Sequence, residues 1–150
     1  MNINSELSDI IQLLHDGNFS CVVRNGAETK TFSRQGVQDL LSLYEERPEF
    51  LCNAIVADKV VGKGAAALMV LGKVSRVYAA VISKPALDLF AEHNIEVEYN
   101  FLVPNIINRA HTGICPVEQL CLPLCSLSDM YNAISNFVHK KNFNTTKLIF

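Results

Sequence analysis

The 150-residue sequence predicts a single α/β domain built on a five-stranded mixed sheet. An Asn25-Gly26 pair joins two short strand-like runs, the signature of an antiparallel hairpin, because both residues tolerate positive φ. Downstream, near-continuous apolar runs at Leu51–Val56 and Val74–Ile82 alternate with helical periods. That pattern belongs to parallel strands joined by right-handed crossovers and covered on both faces. Hydrophobic residues make up 49% of the chain and charged residues 19%, which suits one packed core and excludes a disordered class.

Each element follows from its own pattern. Leu7, Ile10, Ile11 and Leu14 recur at helical spacing and predict a helix over Ser5–Asp16, ended by Gly17. Phe19–Arg24 and Ala27–Phe32 are the hairpin strands. Ser33 is placed to cap a second helix with the stripe Val37, Leu40, Leu41 and Tyr44, and Pro48 marks its end. A strand at Leu51–Val56, a helix at about Gly62–Leu71 and a strand at Val74–Ile82 come next. Ser83 caps a helix that carries Pro85 in its first turn and Leu87, Phe90 and Ala91 on one face. Ile95–Tyr99 alternates as the fifth strand. Phe101–Leu124 is irregular, and a last helix at Leu127–Val138 presents Leu127, Met130, Ile134, Phe137 and Val138. Residues 1–140 are expected to form the domain, with 141–150 a mobile tail or an extension that docks on a partner.

The formal charge of -2 gives no overall electrostatic case for nucleic acid or an anionic membrane. The start MNINSELSDI lacks a basic n-region and an apolar h-region, so no secretory signal is read. The most apolar helical run, Ala65–Leu71, is too short to span a bilayer. Five cysteines, an odd number, suit a reducing cytoplasm, and Cys21 and Cys52 read as buried free thiols. The expectation is a cytoplasmic protein with a small-molecule ligand, no nucleic-acid or membrane partner, and room for a homo-oligomer.

Chemistry concentrates in Asp58–Leu68, DKVVGKGAAAL. A Walker A loop needs a glycine five positions before Gly-Lys and Ser or Thr after it. Here Ala57 and Gly64 stand in those places. The relaxed dinucleotide pattern is met by Gly62, Gly64 and Ala67, but no convincing acidic ribose partner follows about 20 residues on. The glycines and alanines are explained as well by a helix lying close on the sheet. Asp58, Lys59 and Lys63 nevertheless fall where a strand's carboxyl end meets a helix N-terminus, a favoured anion position. They read either as solvated charges or as ligand groups.

No histidine is followed by x-E and no C-x-x-C occurs, which argues against zinc-deaminase chemistry. His111, Cys115, Cys121 and Cys125 have the spacing H-x3-C-x5-C-x3-C, which matches no common zinc knuckle. No metal or other cofactor is therefore predicted. Within Cys115-Pro116-Val117-Glu118, proline at the first helical position would hold Cys115 at a helix N-terminus, where a thiolate is favoured. The competing reading is an apolar lid with incidental cysteines. Arg109 and His111 are weaker site candidates in the same irregular segment.

The hairpin, DKVVGKGAAAL, S-K-P-A-L at Ser83–Leu87, L-V-P at Leu102–Pro104 and C-P-V-E at Cys115–Glu118 together resemble a small uncharacterised prokaryotic family. That family is a divergent branch of the cytidine-deaminase-like superfamily, and the resemblance covers about residues 5–140. It implies a three-layer α/β/α cytidine-deaminase-like domain with a C-terminal helical segment. Deaminase relatives place their first zinc ligand and catalytic Glu at the second-helix start, here Ser33-Arg34-Gln35-Gly36, and their paired cysteines at the next helix start, here the Asp58–Lys63 junction. Both sets are replaced in this chain. The resemblance thus implies a zinc-free pocket lined by Ser33, Asp58, Lys59 and Lys63 and approached by Arg109, Cys115 and Glu118. In an enzyme, Lys59 or Lys63 would bind a small anionic or nucleobase-like metabolite, Asp58 or Glu118 would move a proton, and Cys115 would attack. In a binding or protein-interaction module the same pocket would hold its ligand without turnover, and the C-terminal segment would close over it or bind a protein.

Overall fold

The computed structural model describes residues 3–149, and the side chains of residues 4–140. The elements are α1 (Ile3–Asp16), β1 (Cys21–Asn25), β2 (Glu28–Phe32), α2 (Gln38–Glu46), α3 (Pro48–Leu51), β3 (Ile55–Val61), α4 (Lys63–Gly72), β4 (Arg76–Ser83), α5 (Lys84–Glu92), β5 (Glu96–Val103), α6 (Pro116–Cys121) and α7 (Leu127–Ile149). The five strands form one mixed sheet in the order β2-β1-β3-β4-β5. β1 is antiparallel to β2 and to β3, whereas β3, β4 and β5 are parallel.

The hairpin is present, but its turn is shifted by one residue. Asn25 pairs with Glu28, so Gly26 and Ala27 are the turn residues. Gly26 takes φ +60°, and positive φ at the first central position alone is the type II′ pattern. The Asn25 amide is thereby freed to donate to the carbonyls of Phe50 and Cys52, which ties the hairpin to α3. The strand expected at Leu51–Val56 begins only at Ile55, because Pro48–Leu51 closes a short helix first. This shift puts Asp58 and Lys59 inside β3 and leaves Gly62 alone at the junction, as N-cap of α4. It also leaves Cys52 exposed, not buried as expected. Ser33 does not cap α2, whose N-cap is Val37.

Two crossovers, through α4 and α5, step the same way across the sheet. Connections of one hand then place both helices on one face. That face carries the main core, with α2, α3, α4, α5, α6 and α7 contributing. The other face is covered by α1, whose Leu7, Ile10 and Leu14 pack on Val22, Ile55, Ala57 and Tyr78. α4 is the central helix, buried from Gly64 through Val70, as a helix that is apolar all round requires. The last helix, expected over Leu127–Val138, continues to Ile149. The side chains of the expected tail, 141–150, lie outside the described residues. No described helix is long and apolar enough to cross a membrane.

Gly64 is required by packing against α6 and not, as expected, against the sheet. A Cβ at Gly64 would lie 2.4 Å from Val117 Cγ1 and 3.4 Å from Ile134 Cδ1. Gly64→Ala should therefore destabilise the protein by about 1–3 kcal/mol, the usual cost of overpacking, despite the better helix propensity of alanine. Urea denaturation of this variant and of Gly64→Ala/Val117→Ala checks it: the second substitution should recover part of the loss.

Candidate functional site

The end of β3 and the start of α4 are built around one buried carboxylate. Glu118, on α6, is 1% exposed. Its Oε1 accepts from the backbone N–H of Lys63 at 2.8 Å and from Ser83 Oγ at 2.6 Å, and its Oε2 accepts from the Ile106 N–H. Ser83 in turn caps α5, its hydroxyl oxygen accepting from the Ala86 N–H at 3.3 Å. The Lys63 ammonium reaches back and donates to the carbonyls of Leu122 and Leu124, at 3.1 and 3.0 Å. The two helices thus exchange charges: α6 gives a carboxylate to the N-terminus of α4, and α4 gives an ammonium to carbonyls beyond α6. Each placement suits the helix dipole. The anion position at this strand-to-helix junction is filled by the protein itself.

Asp58 has a different environment. It lies opposite Cys21 in the β1–β3 pair, and its Oδ1 accepts from the Val60 N–H at 3.1 Å. Burial pushes its carboxyl from the ordinary 3.8 up to about 7, outweighing the hydrogen bonds from Val60, Cys21 and Lys59 that act the other way. The Cys21 thiol is raised well above its usual value, by burial first and then by Asp58, with Asp39 adding to it. Asp39 belongs to the first turn of α2 and pairs with Arg34 at 2.5 Å. Cys21 and Asp58 are thus paired neighbours in the sheet, and the charge of Asp39 at the start of α2 acts on the same thiol. Cys21 and Asp39 were not singled out in the sequence, since a cysteine in an apolar strand and an acid in a first helical turn are both ordinary.

The other expected site residues are dispersed. Lys59 donates to Asn18 Oδ1 at 2.5 Å, on the turn after α1, because neighbours in a strand point to opposite faces. Ser33 and Arg109 are exposed on separate loops. Cys115 is the half-buried N-cap of α6, with Pro116 following as expected, but that helix has only six residues. Of the residues proposed from sequence, the structure brings together Lys63, Cys115 and Glu118, and leaves Ser33, Asp58, Lys59 and Arg109 apart from them. Cys121 is buried, its thiol raised to about 11 by burial, and Cys125 is exposed. Among the described residues no three His, Cys, Asp or Glu side chains converge as a metal site would require.

A groove of about 640 Å³ opens beside the Glu118 clip. Lys84 and Pro85, just beyond β4, and Pro104 and Asn105, just beyond β5, line one end, and Leu89, Leu122, Leu124 and Met130 give it an apolar floor. It thus sits at the carboxyl ends of parallel strands, where ligands of open α/β sheets bind. Lys63 spends its charge on two carbonyls and Lys84 pairs with Asp88 at 2.5 Å, which leaves Glu92 and the Asn105 amide as the groove's side chains without a hydrogen-bonding or ionic partner among the described residues.

Fold and geometry define an α/β domain with a five-stranded mixed sheet whose main strand-to-helix junction is closed by an internal carboxylate. Comparison with known proteins narrows that class. Residues 9–138 match the model of the TM1506 family, described as a domain of unknown function, DUF1893, and the chain belongs to that family. The crystal structure of a DUF1893 family protein, TM1506, from Thermotoga maritima is similar over 91% of both chains, with a TM-score of 0.81 and 24% sequence identity, a likeness of fold. No curated protein matches the chain.

Two outcomes follow from the two acids. Glu118→Gln turns an acceptor toward an N–H donor with a donor of its own, and should lower unfolding stability by about 1–3 kcal/mol in urea. A loss under about 0.5 kcal/mol would mean that the clip contributes little. Asp58 acts through pH. With its folded carboxyl raised to about 7 from 3.8, the folded state holds the proton more tightly than the unfolded chain does. Stability should fall as pH rises from about 4 to 7 and level off above that. Asp58→Asn should remove this slope, as read from thermal unfolding between pH 4.5 and 8.

Proposed function

We propose that this domain is a small-molecule-binding module on a cytidine-deaminase-like architecture, with its ligand in the groove beside α5. The observation that carries this reading is the Glu118 clip. A carboxylate with its three donors occupies the N-terminus of α4, where the resemblance puts the paired zinc ligands, so chemistry at that point has no open seat. The adjacent groove has the volume of a metabolite pocket and an apolar floor with few polar groups at its rim. The order β2-β1-β3-β4-β5, with helices on both faces, supports the deaminase-like architecture.

A second reading, a zinc-independent enzyme, is favoured by Asp58. A carboxyl raised to about 7 can both take and give a proton near neutral pH, and it lies opposite the Cys21 thiol in the sheet. Its substrate would be a small nucleobase-like metabolite.

One experiment separates the two. Free nucleobases, nucleosides and small amines are titrated against the protein by heteronuclear NMR, and each mixture is then assayed for product by mass spectrometry. The groove reading expects saturable shifts around Leu89, Glu92 and Asn105, weakened at least tenfold by Glu92→Gln and untouched by Asp58→Asn, with the compound recovered unchanged. Product formation that Asp58→Asn abolishes would establish the enzyme instead. Shifts confined to neither region would overturn both.

A further inference from the structure

β5 is an edge strand of a kind that folded proteins rarely leave open. Parallel strands are normally buried on both faces, yet Glu98 through Leu102 are all exposed in β5. Tyr99, Phe101 and Leu102 are 42%, 66% and 45% exposed. The apolar surface extends inward, because Val60, Val81 and Phe101 are direct register partners across β3, β4 and β5 and Val60 is 48% exposed.

The usual guards of an edge are missing here. Natural edges are kept from pairing by being short, by lysine or proline, by bulges, or by free charge. β5 has eight residues, EVEYNFLV, with neither lysine nor proline. Its register with β4 is constant from Arg76↔Glu96 to Ser83↔Val103, so no bulge twists it away. Its two carboxylates are already held by the neighbouring strand, Glu98 at 2.5 Å and Glu96 at 3.7 Å from the Arg76 guanidinium. The opposite edge is guarded in the expected way. β2 is short, with five residues, and carries Lys30.

We propose that β5 is a self-association surface, on which a second copy of this chain adds its own β5 antiparallel to make a continuous ten-stranded sheet. The charge pattern selects this partner. Both carboxylates lie in the first half of the strand, and Tyr99 to Val103 carries no charge. A two-fold axis between Tyr99 and Asn100 sets Glu98 of one copy opposite Phe101 of the other, Val97 opposite Leu102, and Glu96 opposite Val103. No carboxylate faces a carboxylate. A parallel pairing in the same register would stack Glu96 on Glu96 and Glu98 on Glu98, which is destabilising. The antiparallel arrangement is also isologous and closes as a dimer instead of growing into a fibre. This surface is independent of the groove and of the Asp58 cluster.

Sedimentation equilibrium of the full chain at 1–100 µM tests it, with a dimer of about twice 16.6 kDa expected. Two substitutions at exposed Phe101 read the register. Phe101→Glu puts like charges opposite each other and should weaken association at least tenfold. Phe101→Lys puts an ammonium opposite Glu98 of the second copy and should retain it. Thermal unfolding shows whether both variants fold. If either does not, hydrogen exchange of the unaltered chain decides, since amides of 99–103 should gain protection as concentration rises. A monomer at 100 µM, a dimer indifferent to Phe101→Glu, equal loss in both variants, or exchange at 99–103 that ignores concentration would overturn the proposal.

Discussion

A buried carboxylate that accepts three hydrogen bonds fixes the position of every group that donates to it. Glu118 holds that place between α4, β4 with its following helix α5, and the chain leaving β5. α6 and α7 pack on α4 through apolar side chains such as Cys121, Met130 and Ile134, and this contact with the reciprocal one from Lys63 fixes how α6 lies there. Gly64 belongs to the same arrangement, since the helices approach too closely there for any side chain. An ion buried without donors would cost several kcal/mol, and with them it becomes a register mark that aligns α6 to α4. The strand-to-helix junction, which in other α/β proteins receives a ligand's anion, receives one from the same chain.

The two acids near this junction sit in different surroundings. Glu118 is almost fully enclosed but well supplied, by two N–H groups and a hydroxyl. Asp58 is only partly enclosed as a residue, yet its hydrogen bonds are outweighed by loss of solvent, and its carboxyl moves toward neutrality. The first is an anchor. The second lies in the sheet opposite Cys21, whose thiol burial raises well above its usual value. The Asp58 carboxyl is set by the balance between its hydrogen bonds and the solvent it has lost, not by either alone.

The sheet has a similar asymmetry from end to end. Its hairpin edge is short and charged, whereas its parallel edge is long, regular and apolar in its second half. The same topology produces both. Two crossovers in one direction stack α4 and α5 on one face and leave the far strand with little to cover it.

Much of the fold was legible in residue patterns. The stripe Leu7, Ile10, Leu14 buries α1 on the sheet, Ser83 and Pro85 open α5, and the alternation of strand and helix after Pro48 gives a parallel sheet, because these signals act within one turn or one strand. The site was less legible. Cys115, Glu118 and Lys63 could be named as chemically active types, but their meeting depends on how α6 lies across α4, 55 residues away in the chain for the Lys63–Glu118 bond. Asp58 and Lys59 were named as neighbours, and the pleat sent them to opposite faces once α3 had delayed the start of β3. Asp39 and Cys21 joined Asp58 only through strand pairing and the placement of α2. Local periodicity determined the elements because hydrogen bonds and burial stripes repeat over a few residues. The fate of each charge was decided by tertiary structure, since the donors that satisfy it come from other elements.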